Sequence, residues 1–171
     1  DVNGTKASAT YTPTVTPVTP TAEPATSTDI QGQTQTGKPS FMPGNPSVPM
    51  DDDVPATFED GSTTKTIPGE GTYTVAPDGT VTFVPEKSFT GTGTGVTVKR
   101  VDKNGTPVTA KYTPTVTPVT PTATPAESEA PQGVVQTGTV TFTEGDPVAP
   151  IDKDTITLLD ENGQPATSVV A

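Results

Sequence analysis

Hydrophobic and polar residues alternate along several short stretches of this chain with the period of two expected of a half-buried strand. Ala9, Tyr11, Pro13, Val15 and Pro17 share one parity, while Thr10, Thr12, Thr14 and Thr16 share the other. Proline has no N–H, and in a strand the N–H groups of residues i and i+2 point toward the same lateral neighbour. Pro13 and Pro17 therefore weaken one side of the ladder only, and the other side can still pair. The pattern predicts an edge strand whose open side is blunted by proline against pairing with another molecule. Pro20 breaks the parity, so pairing is expected to stop near Val18. A polyproline II linker carrying threonine is the other reading of the same letters.

Residues 25–37, made largely of Thr, Ser, Gln and Gly, read as a junction. Pro39, Pro43, Pro46, Pro49 and Pro55 predict an irregular stretch after it. Strand signals return after Ile67. Thr72-Tyr73-Thr74-Val75 and Thr80-Val81-Thr82-Phe83 flank Pro77-Asp78-Gly79, which predicts a hairpin with Tyr73, Val75, Val81 and Phe83 facing inward. The Thr/Gly run from Thr90 to Gly95 reads as flexible. Val96-Thr97-Val98 is the next strand, and Asn104-Gly105 the next turn, with Gly105 expected at positive φ in a type I′ geometry. The returning strand places Val108, Ala110, Tyr112, Pro114 and Val116 on one face.

That returning strand repeats the first one. YTPTVTPVTPTA at Tyr11 to Ala22 recurs unchanged at Tyr112 to Ala123, about 101 residues later, and the register also holds for Asn3-Gly4-Thr5 with Asn104-Gly105-Thr106. A period of this length can bury its own core, so it reads as tandem beads and not as a solenoid. The division expected is the end of one repeat at 1–25, a complete repeat at 26–126 and the opening of another at 127–171. In the last piece Leu158-Leu159, a turn at Asn162-Gly163 and Val169-Val170 have no hairpin like Tyr73 to Phe83 to pack on.

Composition narrows the chemistry. The chain has 171 residues and a formal net charge of -11, with no Cys, His or Trp. Disulfide staples, Cys/His metal sites and Ser-His-Asp triads cannot be assembled from it. Nine basic against twenty acidic residues give no footprint for nucleic acid, which is not expected as a partner. No apolar run long enough to span a bilayer occurs, and no signal segment opens the chain, so a membrane is not expected as a partner and any export signal or anchor belongs to other residues. With 29% hydrophobic residues, 21 Pro and 16 Gly, disorder competes with folding, and the strand patterning favours folding. The fold class expected is all-β, an antiparallel sandwich-like repeat domain with a proline/threonine-rich edge strand and linkers.

Three groups of residues are candidates for chemistry. Asp51-Asp52-Asp53 has the oxygen ligands Ca²⁺ prefers, but lacks a D-x-[DN]-x-[DN]-G loop, and a solvated acidic loop is the expectation. Glu59 and Asp60 pair two carboxylates as a glycosidase does, without any aromatic platform for a sugar. Lys99 and Lys111, with an Asn and a nearby acid, carry the groups of an intramolecular isopeptide cross-link; a surface lysine is the simpler reading of each. No catalytic, cofactor or metal site is assigned, and no enzyme activity is expected.

Ala110-Lys111-Tyr112-Thr113-Pro114-Thr115-Val116-Thr117-Pro118-Val119, followed by Gly138-Thr139-Val140-Thr141-Phe142 and Gly145-Asp146-Pro147, resembles the CshA-type fibril repeat of streptococcal surface adhesins. The first junction departs from the second, with Lys38-Pro39-Ser40 where Thr139-Val140-Thr141 stands later. The resemblance implies a stalk: many such repeats, anchored to the bacterial cell wall, project a separate N-terminal region that binds host ligand such as fibronectin. Neighbouring repeats of the same chain are then the immediate partners, and the location is the cell surface. The alternative is that the repeat itself binds host matrix or salivary glycoprotein, with avidity from many copies.

Overall fold

The computed structural model describes residues 1–169. Val170, half of the Val169-Val170 pair, lies outside them. After an extended N-terminal segment the chain forms β1 (Thr21–Glu23), β2 (Ala25–Ile30), β3 (Gln35–Gly37) and β4 (Ser40–Met42). It continues through β5 (Thr57–Phe58), β6 (Thr64–Ile67), β7 (Gly71–Val75) and β8 (Val81–Pro85), then β9 (Gly91–Thr92), β10 (Val96–Val101) and β11 (Pro107–Thr117). One sheet has the order β2-β11-β10-β5, with β9 also beside β11; the other has the order β3-β8-β7-β6. The fold is all-β, as the alternation predicts.

The two sheets meet face to face. Phe58, Val96, Val98, Tyr112 and Val116 from the first pack with Tyr73, Val75, Val81 and Phe83 from the second, all buried. The Tyr73 ring stacks on Phe83 at 4.4 Å and meets Tyr112 edge-on at 6.4 Å, so aromatic contacts join the sheets. Burying one such ring contributes about 2 kcal/mol. In a domain this sparse in hydrophobic residues, each is a large share of net stability.

The predicted hairpin forms with the predicted inward face, pairing Tyr73 with Phe83 and Val75 with Val81. Its turn is closed by the Ala76 N–H donating to the Thr80 carbonyl at 2.8 Å, with Gly79 at φ 91°. The second turn corrects the type I′ expectation. Gly105 has φ 78° as predicted, but among the described residues no non-glycine residue, Asn104 included, has positive φ. Asp102 organises this turn instead, its Oδ1 accepting from the Asn104 and Thr106 N–H groups at 2.9 and 2.8 Å. An Asx-type acceptor replaces the second left-handed residue.

The proline-rich strand is also a correction. In the copy at 107–117 it is not an edge: β10 and β9 lie on one side of it and β2 on the other. The inference about proline parity still explains how. Pro114 turns its carbonyl, and hence the place of its missing N–H, toward Gly93, where only the short β9 pairs. The intact threonine side takes up β2 in parallel register, Tyr112 with Ala25 through Thr117 with Ile30. Residues 25–30, read as junction, are thus a sheet strand, and one pair in this mainly antiparallel fold is parallel.

The Thr90 to Gly95 run is not free either. Gly93 N–H donates to the Pro114 carbonyl at 2.8 Å, and Thr94 donates through both its N–H and its hydroxyl to Glu70 at 2.8 Å. A Cβ at Gly93 would lie 2.7 Å from the Tyr73 hydroxyl and 3.0 Å from Pro114 Cγ. Glycine is needed here for close approach, not for flexibility.

Beyond β11, β12 (Thr122–Thr124) pairs with β13 (Thr141–Thr143), as β1 pairs with β4. A 3₁₀ turn at Lys153–Thr155 follows, and β14 (Leu158–Leu159) pairs with β15 (Pro165–Ala166) around a turn with Gly163 at φ 76°. Leu158 and Leu159 remain about half exposed.

Candidate functional site at the seam between repeats

Only Pro118, Val119, Thr120 and Pro121 separate the end of β11 from the start of β12. β12 takes up Thr122–Thr124, so the connection ends before Pro125. The short connection is held from both sides. Gln31, just past β2, donates its N–H to the Thr117 carbonyl at 2.8 Å and its side-chain amide to the Lys87 carbonyl at 2.7 Å. Its Oε1 accepts from the Val119 N–H at 3.3 Å. From the other side, Gly145 lies so close to Thr120 that a Cβ would overlap the Thr120 carbonyl oxygen. Gly44 stands in the same relation to Thr19 at the earlier seam. Pro20 is buried there, while its counterpart Pro121 is exposed.

Next to the seam, side chains tie β2 to β11. The Ser27 and Tyr112 hydroxyls share a hydrogen bond of 2.6 Å, and Ser27 Oγ donates to Gln35 Oε1 at 2.5 Å. Gln35, buried on β3 of the opposite sheet, donates its amide to the Thr115 carbonyl at 3.0 Å. Burial raises the Tyr112 phenol above its ordinary pKa. Gly37 makes room for this ring, since a Cβ there would overlap it.

Of the sequence candidates for chemistry, Glu59, Asp60 and Lys111 line one open cavity together with Lys65 and Thr97, and the others fall elsewhere. Asp51 and Asp53 hold the Lys103 ammonium at 2.6 and 3.0 Å, and Asp52 holds the Arg100 guanidinium at 2.7 Å. The Lys103 bond keeps Asp51 below the usual carboxylate range and raises Lys103 in turn. Asp60 accepts from the Ser62 hydroxyl and N–H and is lowered by them, while Glu59 is placed by its N–H on Thr97. Lys99 sits on β10 opposite Thr109 and Thr57, and Lys111 is exposed on β11. Asn104 lies in the turn after β10, and Asn45 Oδ1 is taken by Ser47.

Sequence reasoning missed Glu70. It is buried, with its carboxylate accepting from the Tyr73 hydroxyl and from Thr94, and burial with this bond raises the Tyr73 phenol. A Gly-Glu-Gly turn ahead of a hairpin carries no local sign that its acid points inward. Gln31 was missed for the same reason, because its partners are distant in sequence.

Among the described residues, no helix is long and apolar enough to cross a membrane, and no group of three or more acidic side chains is arranged to hold a metal ion. None of the curated proteins matches the chain. An NMR structure of repeat domain 13 of the fibrillar adhesin CshA from Streptococcus gordonii is 68% identical, covering 41% of this chain and 90% of that one, with a TM-score of 0.24. The family model of the surface adhesin CshA repetitive domain matches residues 17–116 and again 118–171. Two consecutive matches of one repeat model span nearly the whole sequence, and the chain belongs to the CshA repeat family of surface adhesins.

Proposed function

We propose that this chain is part of the stalk of a wall-anchored fibrillar adhesin, and that its repeats act as spacers holding a distal ligand-binding region away from the cell. Host matrix such as fibronectin is engaged by that other region. With repeats divided near residues 26 and 126, the residues 118–121 and β12 belong to the tail of one repeat, and β12, like β1, pairs with the head of the next. The observation that supports the reading is the seam: four residues, two of them proline, held between Gln31 on one side and Gly145 on the other. Proline holds φ near about -65°, so little freedom is left for the joint to bend. A cysteine-free surface of net charge -11 keeps neighbouring fibrils soluble and mutually repelling.

Small-angle X-ray scattering tests it. The whole chain is expected to give a narrow distance distribution with a long maximum dimension. Replacing Pro118 and Pro121 with Gly together with Gln31→Ala should shorten the average span and broaden the distribution. A wild-type chain already as compact and heterogeneous as the variant would remove the mechanism, and a flexible string of binding repeats would then be the better account.

A further inference from the structure

We propose that β2 and β11 form a mechanical clamp, a parallel strand pair loaded in shear under tension, so that the repeat bears load as well as setting length. The proposal rests on the stalk reading for the source of tension. The geometry itself is independent of it. The chain enters the first sheet at Ala25 and leaves it at Thr117, and these two strands are direct neighbours running the same way. Pulling the ends apart drives β2 and β11 in opposite directions along their own axes. Bonds across all six register pairs, from Tyr112 with Ala25 to Thr117 with Ile30, are then strained together. A pair pulled apart from one end would instead open one bond at a time. Forced unfolding follows the unfolding rate, so the barrier along the pulling direction is what matters.

The placement of proline fits this role. In a strand the N–H and C=O of one residue point to the same side. The Thr117 carbonyl accepts from Gln31, after β2, whereas the Pro114 carbonyl accepts from Gly93, after β9. Thr113, Thr115 and Thr117 therefore face β2 with their N–H groups intact, and Pro114 faces away. The alternation of threonine with proline keeps every donor on the loaded side and spends the missing one where β9 contributes only two residues. Thr117 adds a side-chain bond to the Asp29 carbonyl at 3.3 Å. The tie from Tyr112 through Ser27 and Gln35 to Thr115 couples the pair to the opposite sheet. Tyr112 and Gln35 are buried, so water cannot readily replace these bonds as they stretch.

Single-molecule force spectroscopy on the whole chain tests the clamp. The chain has no native cysteine, so paired cysteine handles attach only where they are placed. Handles at the two termini load β2 against β11 in shear. Handles at Thr34→Cys and Thr120→Cys, both exposed, hold the pair from one end and unzip it. At equal loading rate the end-to-end unfolding force is expected to be several-fold the force between positions 34 and 120. Equal forces, or a weaker end-to-end direction, would overturn the proposal. Ser27→Ala should lower the end-to-end force more than the other, and an equal fractional loss in both directions would make the tie a general stabiliser and not part of the clamp. A flexible chain in scattering that still shows directional strength would sink the stalk reading alone. A stiff chain with no directional difference would sink the clamp alone.

Discussion

The same twelve residues meet opposite fates in this molecule. Tyr112 and Val116 are 0% and 1% exposed in β11, whereas Tyr11 and Val15, at identical positions of the earlier copy, are 86% and 89% exposed. Residues 9–18 form no strand. Intrinsic propensity is equal in the two copies, so it cannot decide between strand and extended coil. What differs is company: β2, β10 and the opposite sheet surround Tyr112, and none of the described residues encloses Tyr11 in this way. Both readings of the motif, strand and linker, are thus realised in one chain.

The turn just upstream behaves differently. Asp1 to Thr5 repeats Asp102 to Thr106 except for Val2 in place of Lys103, and both close the same way. Asp1 Oδ1 accepts from Asn3 and Thr5 at 2.9 and 3.0 Å, as Asp102 does from Asn104 and Thr106, and Gly4 and Gly105 have φ 81° and 78°. A turn whose bonds lie within five residues needs no partner.

Paired substitutions put numbers on this contrast. Tyr112→Ala should cost about 3 kcal/mol or more, because it empties a core site and leaves Ser27 short of a partner. Tyr11→Ala should leave the denaturant midpoint unchanged. Equal losses would mean that the two copies are packed alike. The same ring gives a pH signature. The folded-state pKa values of Tyr73 and Tyr112 are raised, so their contribution is complete below the ordinary tyrosine value of 10.0 and is lost as pH climbs past it. Unfolding followed by circular dichroism should show that alkaline loss.

Gly93→Ala probes the buried face of Pro114, which Pro13 leaves exposed. The added carbon meets Tyr73, Glu70 and Pro114 at 3.0 Å or less, and about 2 kcal/mol of overpacking is expected. Gly105→Ala meets nothing within 4 Å but strains a positive φ, at about 1 kcal/mol. The chain pattern alone ranks these two the other way. Gly4→Ala should disturb its turn in NMR spectra as Gly105→Ala does, yet leave the midpoint alone, since no hairpin hangs on it. The smallest effect belongs to acid. Asp51, Asp60 and Asp78 have lowered folded-state pKa values, so what they contribute is present above the ordinary 3.8 and lost as pH falls through the lower folded values. All three are solvent-screened, so the melting temperature should stay level to about pH 5 and dip only slightly below about pH 4.

Much of the fold was legible where the information is short-range. The alternation of Tyr73, Val75, Val81 and Phe83 around Pro77-Asp78-Gly79 specifies a hairpin and its inner face, because register follows from the turn and from a period of two. The face of β11 and the one-sided effect of its prolines were legible for the same reason. Which strand fills the open side was not. β2 is a polar run resembling linker, and its pairing in parallel with residues about 87 positions away depends on the crossover through both sheets. The tightness of Gly93, the inward turn of Glu70, the grip of Gln31 on Val119 and the ion pairs that occupy Asp51, Asp52 and Asp53 share that origin. Each is a contact between residues far apart in sequence, set by how the sheets stack, and local pattern carries no record of which distant group will arrive.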